Sequence, residues 1–188
     1  MIAALPLFEE ANRTRAFTVT ILRALAERGI GGALPDLPGQ GESLVPTHET
    51  DLVTLRTAFA AATQSLVHPH PSAASPLPPS PIGRGKGPAA QSAVGRVGAT
   101  EARIFTLAIR SGALLDTDAA VTARYHLSPM TGADLRRELV RARQASSREV
   151  GEAFDPAALD SATQPVELAG NLIAPAFLAE LSAATPGT

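Results

Sequence analysis

The segment Ala108-Ile-Arg-Ser-Gly112 puts a guanidinium beside a hydroxyl at the end of an apolar run, where a strand is expected to turn sharply into a helix. Such a turn usually reads Gly-x-Ser-x-Gly, because a strained bend exposes one nucleophile above the sheet while small neighbours let the helix approach. Here Arg110 holds the central position, and a guanidinium is cationic at any relevant pH and cannot attack an acyl carbon. Ser111 stands one residue off, its amide still placed to donate to an oxyanion. His126 is the histidine expected nearest the crevice. Its two readings are a Ser111–His126 dyad, with Asp116 or Asp118 orienting the ring, and a structural histidine packed on a strand end. The chain order of nucleophile, acid and late histidine is not met, since the histidines are His48, His68, His70 and His126.

A second candidate is Leu7-Phe-Glu-Glu-Ala-Asn-Arg13, where Phe8, Glu9, Asn12 and Arg13 meet the start of an expected helix and could bind an anion or oxyanion together with Arg110. The plainer reading is that Glu9 and Glu10 complement the helix dipole. Arg136, Arg137, Arg141, Arg143 and Arg148 on a later helix could dock an acidic glycan or anionic partner, or simply form its wet face. His68 and His70 lack further ligands and make no metal site. Gly83-Arg-Gly-Lys-Gly87 is not a Walker pattern and reads as linker, so no cofactor is expected.

Composition removes whole classes. Eighteen acidic against 16 basic residues, a net charge of −2, argue against a nucleic-acid binder, which needs surplus Lys and Arg on one face. Zero cysteine excludes disulfides, Cys-ligated zinc and a thiol nucleophile. The apolar runs fall far short of the roughly 20 residues needed to cross a bilayer. No basic start precedes an apolar stretch and cleavage site, so the expected location is cytoplasmic.

The elements that must position these residues alternate. A short apolar run at residues 2–8 reads as a covered strand, followed by a helix with Phe17, Ile21, Ala24, Leu25 and Arg28 on one face and Gly29 as its C-terminal cap. Residues 31–35 read as a further strand, ending in Asp36-Leu-Pro-Gly-Gln-Gly-Glu-Ser43, and Leu52, Leu55, Phe59, Ala62 and Leu66 share a second helix face. Between His68 and Pro88 there are seven prolines, so residues 68–100 are expected to be a Pro/Gly-rich disordered insert separating residues 1–67 from 101–188. Beyond it come a strand at 103–109, a helix from Ala113, a strand at 125–127, a helix at 131–147, a weak strand at 166–168 and a final helix begun by Pro175. The expected class is α/β, a mostly parallel sheet flanked by helices and joined by right-handed crossovers.

Asp36-x-x-Gly-x-Gly-x-Ser43 after a strand is a pattern shared across the α/β-hydrolases. Pro6-Leu-Phe-Glu-Glu-Ala-Asn-Arg-Thr-Arg15, Ala108-Ile-Arg-Ser-Gly-Ala-Leu-Leu115, Leu127-Ser-Pro-Met-Thr-Gly132 with its Leu- and Arg-rich helix, and Val166-Glu-Leu-Ala-Gly170 are more specific. Together they resemble the second type of α/β-hydrolase-like protein associated with exosortase A gene clusters, found with exopolysaccharide genes in proteobacteria. The resemblance covers most of the chain outside residues 68–100. It implies a partial α/β-hydrolase fold, truncated at the N-terminus with Met1 opening the third strand, and the sheet edge so left open points to a start placed too late, a truncated gene, or a protein partner or second copy that covers it. It also implies ester or acyl hydrolysis of a small-molecule or glycan-related substrate. The competing expectation is a non-catalytic relative that binds an anionic ligand or a partner protein.

Overall fold

The computed structural model describes residues 1–67 and 103–188; the expected insert at 68–100 lies outside them. The chain is mixed α/β. Its central sheet holds β1 (Ile2–Ala4), β2 (Phe105–Ile109) and β3 (Ala123–Leu127), all parallel, in the order β1-β2-β3. Ile2 pairs with Thr106 and Ala108 with His126. Helices α1 (Glu9–Ala26), α2 (Leu52–Val67), α3 (Gly132–Val150) and α4 (Pro175–Ala183) flank it, and β4 (Val166–Leu168) and β5 (Asn171–Ile173) form a separate antiparallel hairpin.

Why these residues form these elements is clearest at their ends. Thr131 caps α3 reciprocally with Asp134: the Asp134 amide donates to the Thr131 hydroxyl, and the carboxylate accepts from Thr131, which holds Asp134 below the usual carboxylate range. Gly151, at φ 73, closes the same helix in a left-handed cap. Pro175 opens α4, where its missing N–H is not needed. Ala169 and Gly170, both at positive φ, make the two-residue turn that joins β4 to β5.

Several expectations are corrected. Residues 31–35 contribute a single parallel bridge, Ile2 to Ala33, because Pro35 has no amide to donate. The buried positions of α1 are Ala11, Thr18 and Leu22, while Phe17 is 52% exposed; the Thr18 hydroxyl donates to the Thr14 carbonyl, which makes its burial cheap. No helix starts at Ala113. Residues Arg110–Leu114 form a short 3-10 segment, and the chain then returns to β3 past a buried Asp116. Residues 166–168 pair with their neighbours across a tight turn and do not join the parallel sheet.

The core lies between the sheet and the helices. Leu52, Leu55 and Phe59 of α2 and Phe177, Leu178 and Leu181 of α4 close over it, with Leu114 and Leu115 fully buried and Leu168 and Ile173 supplied by the hairpin. Polar ties cross the same packing: Arg56 Nε donates to the Leu114 carbonyl at 2.8 Å, and the Leu52 amide donates to Glu180 at 2.7 Å. Gly112 lies against the backbone carbonyls of Ala4 and Leu5 so tightly that an added Cβ would collide with both. Gly112→Ala should therefore lower folding stability by about 1–3 kcal/mol, the usual cost of overpacking. Urea denaturation measures this, and an unchanged midpoint would contradict the close approach of the bend to β1.

Candidate functional site

Each parallel strand leads into a non-glycine residue held at positive φ: Phe8 at 63° beyond β1, Arg110 at 50° directly after β2, and Ser128 at 49° directly after β3. Conformations of this kind cost on the order of 1–3 kcal/mol each and persist only where surrounding structure over-determines them. All three sit on the carboxyl rim of the sheet. Ala33 bonds β1 on the edge opposite β2, so the chain leaves β1 toward both sides and the topological switch point falls at the carboxyl ends of β1 and β2. In open α/β sheets that crevice is the ordinary place for a ligand.

Arg110 stitches three elements together there. Its Nε lies 2.6 Å from Glu10 Oε1 at the start of α1, and Nη2 donates to both carboxylate oxygens of Glu138 on α3 at 2.9 Å. The Glu10 carboxylate, followed by Glu138, pushes the Arg110 pKa above its already high ordinary value. The side chain is 33% exposed, so solvent screens these pairs in part. Glu10 thus both faces the dipole of α1 and holds the arginine.

Ser111 turns the other way. It is fully buried, and its hydroxyl accepts a 2.9 Å hydrogen bond from the Leu7 amide. The hydroxyl therefore fixes the loop after β1. His126 Nε2 lies 3.0 Å from Asp116 Oδ2, and that oxygen also accepts from the Thr106 hydroxyl at 2.9 Å. Arg124 donates to the backbone carbonyls of Asp116 and Ala119 and lies 3.8 Å from the same carboxylate. Of the two acids weighed as partners for the ring, Asp116 is the one bonded to it. Ser111 and His126 share no hydrogen bond, so the expected nucleophile and base belong to separate networks.

Two cavities flank the Arg110 ion pair. The first, about 420 Å³, is lined by Leu7, Phe8, Leu135 and Leu139 with Glu9, Glu10, Arg13 and Glu138. The second, about 390 Å³, is lined by Arg110, Ser128, Asp134, Arg137, Glu138 and Arg141. Of the residues expected to bind, Phe8, Glu9 and Arg13 meet in the first cavity and Arg110 lies in the second. Asn12 lines neither; its amide reaches Glu9 at 3.4 Å. Glu138 was missed, although its spacing from Leu135 and Leu139 places it on the edge of the buried helix face. The arginines of α3 are largely committed: Arg136 to Asp160 at 2.5 Å, Arg137 to Asp134, and Arg143 to Glu152 and Glu167. Among the described residues no three His, Asp or Glu side chains group as metal ligands, and His68 and His70 lie outside them.

No protein-family model, curated protein or solved structure matches this chain. The assignment of the site thus rests on its geometry. Replacing Ser111 by Ala leaves the buried Leu7 amide without an acceptor and should cost about 1–3 kcal/mol of stability. Thermal or urea unfolding of Ser111→Ala reads this directly; a variant as stable as the parent would show that the hydroxyl has no structural task.

Proposed function

We propose that this chain is a non-catalytic α/β-hydrolase-like protein, built on a partial hydrolase fold, that binds a ligand in the crevice at the carboxyl rim of its sheet. The observation that carries the reading is the division of labour at the bend after β2. Arg110 takes the outward position and is bound by two carboxylates, while the Ser111 hydroxyl is buried against the Leu7 amide. Acyl transfer needs a hydroxyl within reach of a base, and loss of either partner lowers rates by orders of magnitude. The resemblance to exosortase-associated hydrolases supports a role beside exopolysaccharide production in the cytoplasm. A partner protein or second copy covering an open sheet edge belongs to the same proposal. Among the described residues no helix is long and apolar enough to cross a membrane.

The hydrolytic reading keeps one specific support: Asp116 Oδ2 lies 3.0 Å from His126 Nε2, as the acid of a triad holds the ring of its base. The two readings separate in a short-chain p-nitrophenyl ester assay. We expect turnover at the uncatalysed rate for the parent protein, and the same for Ser111→Ala and His126→Ala. Enzymatic turnover that falls about 100-fold or more in either variant would restore the hydrolase.

A further inference from the structure

We infer that the two cavities beside Arg110 form one bipartite site for a single-chain amphiphile with an oxyanion head, a carboxylate or a phosphate. The inference rests on the non-catalytic reading of the crevice and gives its ligand a chemical class. The cavities meet at Glu138, which lines both, and Arg110 in the second is ion-paired with Glu10 in the first. Both linings carry charged side chains, Glu9, Glu10, Arg13 and Glu138 in the first, and they differ in their apolar part. Leu7, Phe8, Leu135 and Leu139 give the first an apolar wall suited to a hydrocarbon chain, and Phe8 is braced by the Phe177 ring at 5.4 Å.

The second cavity is mostly charged, with Ser128, Pro129 and Met130 completing its lining. Its three arginines are balanced in number by Asp134 and Glu138 of the same lining together with Glu10 of the first cavity, so any preference for an anion comes from how the pairs are distributed. Arg137 is matched by Asp134, and Arg110 by Glu10 and Glu138. Arg141, one helical turn beyond Arg137, has no carboxylate within ion-pair distance among the described residues. A planar guanidinium left uncommitted on a cavity wall matches an oxyanion better than any cation, because its N–H fork fits two oxygens at once. Ser128 lines the same cavity, and a hydroxyl can donate to an oxyanion. An entering head also competes with Glu138 for Arg110, since both Glu138 oxygens crowd a single nitrogen, Nη2.

Isothermal titration of the full chain tests this with decanoate, decyl phosphate, decyltrimethylammonium and inorganic phosphate, each amphiphile below its micelle concentration. One saturable site for decanoate or decyl phosphate is expected, and the stronger of the two identifies the head. Arg141→Ala should weaken that binding about tenfold, the worth of a hydrogen bond to a charged group. Glu138→Gln, which removes the competitor, should tighten it. Absence of binding by both anions, equal binding of the cationic amphiphile, or undiminished affinity in Arg141→Ala would overturn the inference. Inorganic phosphate binding as tightly as decyl phosphate would also overturn it, by removing the apolar cavity from the site. Ester turnover, measured separately, bears on the non-catalytic reading; an inactive protein that ignores the anions sinks this inference alone.

Discussion

A left-handed backbone at Arg110, directly after the central strand, decides which side chain faces the crevice and which faces the core. With φ at 50° the guanidinium emerges on the carboxyl rim, and the next residue, Ser111, is driven inward against the loop that follows β1. L-residues visit this region reluctantly, so the bend needs compensation. Glu10 and Glu138 supply it from one side as ion partners, and the Leu7 amide supplies it from the other by donating to Ser111. The close approach of Gly112 to the Ala4 and Leu5 carbonyls locks the bend onto the first strand.

This arrangement transmits outward. The Glu10 end fixes the entry of α1, and the Glu138 end fixes the rotation of α3, whose Leu135 and Leu139 then fall on the buried side. The N-terminus of α3 is in turn tied to α4, because the Gly132 amide donates to the Ala184 carbonyl and Gly132 abuts the Leu181 carbonyl. Hydrophobic burial supplies the stability, and the polar ties select one arrangement from the many that burial alone would permit. The Thr106–Asp116–His126 network does comparable work beneath β2 and β3, where two bonds hold Oδ2 of a fully buried carboxylate while its Oδ1 is left without a partner.

Much of the fold was legible because its signals are local. Thr131 before an amphipathic run, Pro175 at a first turn and the Leu52–Leu55–Phe59 spacing each carry their cause in a few residues. The failures were places where distant partners decide. Whether Ala33 belongs to a strand depends on how much edge β1 offers, and β1 is only Ile2–Ala4. The apolar face of α1 was placed one position off because Phe17 looked like core, whereas Thr18 is buried with its hydroxyl satisfied by its own helix. The strand at Val166–Leu168 is read from the sequence as one more strand of a mostly parallel sheet, whereas the Ala-Gly-Asn beside it turns it into an antiparallel hairpin with β5. At the site, the sequence singles out Arg110 as the central residue of an elbow-like pattern, while Glu138 becomes visible only once α3 is laid across the bend. The pairing of His126 with Asp116 was among the alternatives weighed; the burial of Ser111 needed the Leu7 amide, 104 residues away.

The central claim is that Ser111 is a structural hydroxyl turned from the crevice and therefore unreactive. Incubating the folded protein with a serine-directed fluorophosphonate and mapping adducts by peptide mass spectrometry tests this most directly. The account predicts Ser111 unmodified under native conditions. Stoichiometric phosphonylation of Ser111 in the native protein, abolished in His126→Ala, would contradict it.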